Sequence, residues 1–236
     1  MGVLLTVQSD NVGDRLAALR DAVDGRIVFT TSFGIEDQAI THFIAERGLD
    51  VEIVTLDTGR LFPSTLELWA ETGARYGLSI RAYRPAVKSV AGYVQRHGQD
   101  GFYWSREARE ECCHVRKVEP LGRALAGASA WITGLRADQS GARAEVQLSS
   151  HDPDKGLLKF APLFDWTRQQ VADFCAANEV PINPLHAKGF ASIGCEPCTR
   201  ALKPGEPERA GRWWWENEGA RECGLHVAAR EAGEAA

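Results

Sequence analysis

The chain has 236 residues, of which 44% are hydrophobic and 25% are charged, and its formal net charge is −5 at pH 7. This balance predicts one main globular core and argues against a general nucleic-acid-binding protein. It leaves open the binding of a small anionic ligand by local clusters of arginine. No apolar run of roughly 18 residues occurs, and the first residues lack the basic start and long apolar stretch of a signal peptide. We therefore expect a cytoplasmic protein without membrane association.

Short β-rich runs alternate with helical stretches from residue 26 onward. The order is strand, helix, strand, helix and then two further strands, with predicted ranges 27–32, 36–47, 51–57, 63–76, 78–83 and 130–134. Strands that alternate with helices join through right-handed crossovers. The predicted fold class is therefore α/β, with a mostly parallel, twisted sheet and helices on both faces.

Two later segments also predict helices. Residues 105–125 have helical character but contain Pro120, where we expect the helix to break. Thr167 and Gln170 match a capping box that opens another helix. Cys175 falls on the apolar face of that helix, so we expect it to be a core residue.

Polar, turn-forming loops follow the first two strands, at the carboxyl edge of the predicted sheet. Hydroxyl groups, a glycine and the start of the next helix suit a bound phosphate there. Neither a P-loop nor a Gly-x-Gly-x-x-Gly motif occurs, so an ordinary polar turn is an alternative. The candidate substrate contacts in these two loops are Thr31, Ser32, Phe33, Gly34, Asp37, Leu56, Asp57, Thr58 and Gly59.

A third loop, residues 133–143, follows the strand predicted at 130–134. It contains Gly134 and two arginines, Arg136 and Arg143. An arginine side chain can place two parallel N–H groups on phosphate or sulfate oxygens. Arginines in exposed loops are also commonly solvated surface charge, so the two interpretations remain open at this loop.

Four of the six cysteines form two close pairs. Cys112 and Cys113 are adjacent, and Cys195 and Cys198 form a Cys-x-x-Cys pair. Zinc sites, redox disulfides and iron–sulfur clusters all use Cys-x-x-Cys. Side chains of adjacent residues diverge, which suits separate corners of a cubane better than one tetrahedral ion. The pattern therefore favours a 4Fe-4S cluster, with zinc or redox cysteines as alternatives.

Cys223 stands apart from these pairs. An arginine and a histidine lie near it, at positions 221 and 226, and Gly224 follows it. An exposed cysteine near positive charge can be held partly as the thiolate, which is the attacking form. The alternative is a spare thiol in a frayed tail.

Several motifs, taken together and in this order, resemble the assimilatory adenylyl-sulfate reductases of bacteria. The resemblance extends from about residue 25 to residue 227. The motifs are Thr-Ser-Phe-Gly-Ile-Glu-Asp, Leu-Asp-Thr-Gly-Arg, Cys-Cys-His-Val-Arg-Lys-Val-Glu-Pro-Leu, Ile-Thr-Gly-Leu-Arg, Cys-Glu-Pro-Cys-Thr, Gly-Arg-Trp-Trp-Trp-Glu and Glu-Cys-Gly-Leu-His.

The resemblance implies an adenine-nucleotide α-hydrolase-like fold and a thioredoxin-dependent reduction of adenosine 5'-phosphosulfate to sulfite and AMP, in sulfate assimilation and cysteine biosynthesis. It implies one 4Fe-4S cluster per chain, held by Cys112, Cys113, Cys195 and Cys198, and an S-sulfocysteine intermediate on Cys223. Pyrophosphatases of this fold carry a Ser-Gly-Gly-x-Asp-Ser-like loop. The corresponding loop here, residues 32–37, lacks the second glycine, which argues against ATP pyrophosphatase activity.

Basic side chains must neutralise the substrate's oxygen charge while the thiolate attacks. The candidates are Lys117, Arg209 and Arg212, with Arg136 and Arg143 in support, although Ala137 stands where many relatives carry a second basic residue. The alternatives are a 3'-phosphoadenosine 5'-phosphosulfate reductase and a zinc-stabilised nucleotide-binding protein without reductase activity. The sequence leaves the oligomeric state open, a homo-oligomer included.

We expect two parts along the chain. Residues 1–200 are predicted to form the nucleotide-binding α/β domain with the iron–sulfur site. Residues 201–236 are predicted to form a mobile C-terminal segment that carries Cys223, because Pro, Gly and charged residues become frequent after residue 181.

Overall fold

One sheet forms the centre of the molecule, in a computed structural model that describes residue 9, residues 11–216 and residue 225. Its strand order is β3-β2-β1-β4-β6-β5, and all neighbours pair in parallel except β5 with β6. The strands are β1 (Ile27–Thr31), β2 (Glu52–Leu56), β3 (Arg81–Tyr83), β4 (Ala130–Ile132), β5 (Ser149–Asp152) and β6 (Leu157–Phe160).

Seven α-helices pack around the sheet in the described part of the chain. They are α1 (Val12–Ala22), α2 (Ile35–Glu46), α3 (Pro63–Tyr76), α4 (Val87–His97), α5 (Arg106–Cys113), α6 (Glu119–Leu125) and α7 (Arg168–Ala177). Of these, α2 to α6 lie in the connections between the parallel strands of the sheet. The predicted capping box is confirmed at the start of α7, where the Thr167 and Gln170 side chains each accept a hydrogen bond from the other residue's backbone N–H. None of the helices in the described part of the chain is both long and apolar enough to cross a membrane.

Alternate residues of the central strand serve opposite faces of the sheet. Phe29 of β1 packs in the larger apolar cluster with residues of α1, α2 and α7, whereas Val28 packs in a second cluster with Leu121 of α6 and Trp131 of β4. Burial on both faces explains why β1 is a nearly continuous apolar run rather than an alternating one. The predicted α/β fold with helices on both faces is confirmed, as is the burial of Cys175.

The prediction that the helix breaks at Pro120 is wrong. The backbone stays helical from α5 into α6, and the interruption is a π-helical turn, His114–Val118, just before the proline. The N–H of Glu119 donates to the carbonyl of His114, five residues back. Such a widened turn is one way in which a helix accommodates a residue that cannot donate a hydrogen bond.

The other predictions of elements differ from the structure mainly at the ends. The helix at 63–76 is confirmed residue for residue, whereas the strand predicted at 78–83 is shortened to β3. The helices α1 and α4 and the β5–β6 hairpin were not predicted, and the Ser-Ser-His-Asp sequence of β5 explains the last omission, since it has no apolar alternation. The boundary near residue 200 stays a prediction.

Phe29 is expected to be a major contributor to the stability of the sheet because it is fully buried in its central strand. We expect Phe29→Ala to lower the free energy of unfolding by about 3–5 kcal/mol, through lost burial and the cavity left behind. Urea denaturation measures this. Val87→Ala is the control, since Val87 is 85% exposed and its replacement should change stability by no more than about 0.5 kcal/mol. Equal effects of the two substitutions would contradict the described core.

Candidate active site

The predicted loops at the carboxyl ends of β1, β2 and β4 open into one cavity of about 190 Å³. Residues of the stretches 191–195 and 208–213 complete its wall, together with Leu225. The predicted substrate contacts that line it are Thr31, Ser32, Gly34, Asp37, Leu56, Thr58, Lys117, Gly134, Arg143, Arg209 and Arg212. Four others, Phe33, Asp57, Gly59 and Arg136, are not among its lining residues, and Cys223 lies outside the described residues.

Phe33 holds the conformation of the first loop through its backbone and its buried ring. Its backbone is left-handed, with φ of 59°, and its N–H donates to the Thr31 hydroxyl at 3.0 Å. The side chain is 1% exposed and stacks on Trp69, with ring centroids 6.0 Å apart. Packing of the ring offsets the cost of this conformation, so Phe33 anchors the loop in the core and does not present its side chain to a ligand.

The Asp37 carboxylate occupies donors that the sequence assigned to a phosphate. Its Oδ2 atom accepts hydrogen bonds from the Ser32 N–H at 2.6 Å and the Ser32 hydroxyl at 2.7 Å. Burial raises the pKa of Asp37 to about 6, against the opposing effect of these hydrogen bonds. The loop after β4 approaches so closely that a Cβ atom on Gly134 would lie 2.2 Å from the other carboxylate oxygen. Any other residue at position 134 would require the Asp37 carboxylate to move.

The second loop connects the cavity to the cysteines. Asp57 holds the turn, because it accepts from the Gly59 N–H at 3.0 Å and pairs with Arg84 at 2.8 Å. Thr58 lines the cavity, and its hydroxyl lies 3.3 Å from the Cys195 sulfur. Asp57 and Gly59 therefore act on the shape of the loop, whereas Thr58 contacts both parts of the site.

Cys112, Cys113, Cys195 and Cys198 lie together around a small second pocket, as the sequence predicted. The first two end α5, Cys195 directly precedes a short 3-10 turn, Glu196–Cys198, and Cys198 is the last residue of that turn. All are buried except Cys112, which is partly exposed. In the described stretches, no group of three or more His, Cys, Asp or Glu side chains is arranged to hold a metal ion.

The two pockets share a wall. Lys117, Cys195 and Trp213 line both of them. Backbone hydrogen bonds hold this wall in place: residue 195 forms a β-bridge with Leu61, and Thr199 forms another with Arg212. Any group bound by the cysteines would therefore lie next to whatever occupies the larger cavity.

Positive charge surrounds the cysteines. Burial opposes ionisation of Cys195, but Lys117, the Thr58 hydroxyl and Arg212 outweigh it, so the pKa of this thiol is lowered. Burial raises the pKa of Cys198 to about 12, with the negative charge of Cys195 adding to the effect. The site thus stabilises one thiolate directly, whereas a second one nearby requires a further positive partner.

One buried donor near the cysteines, the Trp213 indole N–H, has no hydrogen-bond partner among the described residues. Burial raises the pKa of the Tyr93 hydroxyl, and the charge of Cys112 and a hydrogen bond with its side chain add to the shift. Buried donors are rarely left unpaired, and Trp213 lines the cysteine pocket, so its N–H is suited to an acceptor bound there.

Comparison with known proteins identifies the family. The family model described as "Phosphoadenosine phosphosulfate reductase domain" matches residues 26–201. The chain belongs to this family. Among curated relatives of this reductase family, the chain is 56% identical to an adenosine 5'-phosphosulfate reductase of Agrobacterium fabrum, over 88% of this chain and 80% of that one. It is 54% identical to the Allochromatium vinosum protein of the same name, over 85% and 78% of the two chains.

Solved structures support the same fold. A phosphoadenylyl-sulfate reductase from Candida auris, solved as a phosphate complex, has a TM-score of 0.69 and 27% identity, over 81% of this chain and 91% of that one. A yeast FAD synthetase in complex with FAD has a TM-score of 0.52 at 16% identity, over 84% and 70% of the chains. The second likeness concerns the fold alone, and it agrees with the predicted adenine-nucleotide α-hydrolase-like architecture.

Sequence reasoning missed several residues of this reductase site. Glu36, Gln139 and Glu208 line the cavity, and so does residue 194, where a Cβ atom would lie 2.3 Å from the Arg212 guanidinium. The glycine directly before Cys195 was the available signal for such a close approach. No such signal was available for Glu36 and Glu208, because the local sequence does not indicate which carboxylate pairs with a residue far along the chain.

The buried Asp37 carboxyl should make the stability of this reductase domain depend on pH. Its folded pKa, about 6, lies above the ordinary value of 3.8. The folded state therefore binds this proton more tightly than the unfolded state, and stability is lost as pH rises from about 4 to about 6. Asp37→Asn removes the titrating group and keeps an acceptor for the Ser32 donors.

Between pH 5 and pH 7.5, the free energy of unfolding of the unmodified chain should fall by about 1 kcal/mol relative to Asp37→Asn. Urea denaturation of both proteins across this range provides the measurement. Parallel pH profiles would show that Asp37 is not the buried acid described here.

Proposed function

We propose that this chain reduces adenosine 5'-phosphosulfate to sulfite and AMP in the cytoplasm, in sulfate assimilation leading to cysteine. The observation that carries the proposal is the shared wall of Lys117, Cys195 and Trp213 between the cavity at the sheet edge and the four-cysteine pocket. Family membership and the names of relatives that are 54–56% identical support the choice of substrate.

The cavity suits an adenylyl ligand with two adjacent anionic groups. Four cationic side chains line it, Lys117, Arg143, Arg209 and Arg212, although the whole chain is acidic. Positive groups at these positions would neutralise the sulfate oxygens during attack and the AMP phosphate as it departs. The loop between β1 and α2, which lacks a P-loop pattern, fits a nucleotide without β- and γ-phosphates.

The proposed nucleophile is Cys223, which lies outside the described residues. Leu225, two residues further along the chain, lines the cavity and supports this choice. The thiolate of Cys223 attacks the sulfate sulfur, an S–S bond forms, and the S–O bond to the AMP phosphate breaks. The product on the enzyme is an S-sulfocysteine.

A thioredoxin dithiol is the proposed reductant. One of its thiolates attacks the Cys223 sulfur, sulfite leaves with the electrons of the broken S–S bond, and a mixed disulfide forms. The second thioredoxin thiol resolves this disulfide and restores the Cys223 thiolate. Two electrons thus pass from the dithiol to the sulfonyl group, and the C-terminal segment, residues 201–236, has to expose Cys223 for this exchange.

We infer one 4Fe-4S cluster per chain from the donor set of the small pocket. Four cysteines surround the pocket, and the unpaired Trp213 N–H would find an acceptor in the sulfurs of such a group. Cys112, Cys113, Cys195 and Cys198 would hold it. When bound, the cluster would supply a fixed charge distribution beside the cavity, and the reaction does not require it to change oxidation state. Lys117 would orient the substrate from the shared wall.

The principal alternative is the 3'-phosphorylated nucleotide, since the family model and the Candida auris structure carry that substrate in their names. Both reactions use the same nucleophile, so turnover with each nucleotide separates them. A zinc-stabilised binding protein is the alternative from another class, and metal content separates it from the proposed reductase.

Purified chain should contain about four irons, because the four cysteines provide the ligands of a cubane. Elemental analysis for iron and zinc, together with visible absorption, measures this. Cys112→Ser should lose most of the iron, whereas Cys175→Ser should retain it, since Cys175 lies on the buried face of α7 in the apolar core. A colourless chain with one zinc would contradict the cluster proposal.

Mass spectrometry after incubation with adenosine 5'-phosphosulfate, without a reductant, tests the nucleophile. The unmodified chain and Cys175→Ser should each gain one sulfonate on Cys223. Cys223→Ser should gain none, while it keeps its iron and its affinity for AMP. A sulfonate that persists on Cys223→Ser would assign the attack to another thiol.

A further inference from the structure

Arg136 is fully buried and bonded on every side by the protein itself. Its Nε atom donates to Glu36 at 2.9 Å, and its Nη2 atom donates to both carboxylate oxygens of Glu208, at 2.8 and 2.9 Å. Its Nη1 atom is turned toward Asp138 at 3.3 Å and the Trp166 carbonyl at 3.5 Å. All three nitrogens therefore have protein partners, and the predicted role in direct substrate binding does not match this geometry.

The two main partners come from distant parts of the chain. Glu36 lies in the first turn of α2, directly before Asp37, and Glu208 lies directly before Arg209. Arg136 follows β4 and joins these segments through its guanidinium. The segment that Glu208 fixes also carries Arg212, so both cavity arginines of this segment lie within four residues of the buried ion pair.

Charge gives a second reason for this arrangement. Glu36 and Glu208 both line a cavity that we propose for an anion. Arg136 pairs with both carboxylates, and Arg168 lies 3.4 Å from Glu208. Carboxylates that are paired with a cation repel an entering anion less than unpaired ones do. The ion pair between Arg136 and Glu208 therefore both fixes the segment that carries Glu208 and offsets the negative charge of this residue.

We propose that Arg136 and Glu208 form a clamp that positions Arg209 on the nucleotide cavity, whereas Arg212 is held by its own bridge with Thr199. Arg136 is then a positioning residue and not a substrate contact. This inference rests on the proposed function, since it assigns the clamped arginine to an adenylyl anion. It also explains why a charged pair is buried at the cavity wall, where its desolvation is costly.

The same segment provides a matched control. Arg200 and Glu206 form a second two-pronged pair, with N–O distances of 2.7 and 2.8 Å. Glu206 is two residues before Glu208, but neither member of this pair lines the cavity. Replacing either glutamate by glutamine removes one negative charge from the same stretch of chain, and only Glu208→Gln breaks the clamp.

The sign of the effect on nucleotide binding distinguishes a clamp from simple electrostatics. Removing a negative charge from the cavity wall should, by charge alone, strengthen the binding of an anion. A clamp predicts the reverse, since Arg209 loses its fixed position. Adenosine 5'-monophosphate is the probe, and calorimetric titration of the full chain gives its dissociation constant.

We expect Glu208→Gln to weaken binding of the probe by roughly 10-fold and Glu206→Gln to change it by less than roughly 2-fold. In an Arg209→Gln background, the loss caused by Glu208→Gln should shrink, since the two residues act through one contact. If Glu208→Gln does not fold, Arg136→Lys replaces it. Lysine keeps the charge but cannot bridge both carboxylates, so a similar weakening is expected.

Each result has one interpretation. Failure of the unmodified chain to bind the probe would overturn the proposed function. Normal binding by the unmodified chain, together with equal or tighter binding by Glu208→Gln, would overturn the clamp alone. Full additivity of Glu208→Gln and Arg209→Gln would also overturn it.

Discussion

The structure of the site depends on how the stretch 195–200 is attached to the loop at residues 60–61 and to the segment at residues 211–213. On one side the N–H of residue 196 donates to the Arg60 carbonyl at 2.8 Å, next to the bridge between Leu61 and Cys195. On the other side the N–H of Arg200 donates to the carbonyl of residue 211 at 2.9 Å. These are backbone contacts, so they fix positions without depending on particular side chains. They bring the loop after β2, the Cys-x-x-Cys turn and the arginine-bearing segment into one unit.

This attachment also accounts for the electrostatics of the site. Bringing Lys117 and Arg212 close to Cys195 offsets the cost of burying a thiolate, so its pKa is lowered in spite of burial. The same side chains line the larger cavity. Cations that stabilise buried sulfur on one side of the wall are therefore available to an anionic ligand on the other, although the cavity lining also includes the carboxyl groups of Glu36, Asp37 and Glu208.

The elements that sequence could predict are those with a local signal. Strand and helix alternation predicted the sheet core, and the Thr167 box predicted the start of α7. The family resemblance, rather than cysteine spacing alone, predicted which four cysteines lie together. The β5–β6 hairpin was missed because β5 is polar and short. Phe33 and Arg136 were assigned to the ligand because loop position is local information, whereas their actual partners, Trp69 and Glu208, are far along the chain.

The π-helical turn His114–Val118 separates two faces of one continuous helix. Before it, Cys112 and Cys113 point to the cysteine pocket, and after it, Leu121 and Leu125 pack against the sheet. Each residue of an α-helix advances the side chains by about 100°, so one additional residue in a widened turn offsets the two faces by roughly that angle. The number of residues in the turn thus sets the angle about the helix axis between the two cysteines and the two leucines. Inserting or deleting a single residue in this turn would therefore disturb the site more than most substitutions of a side chain.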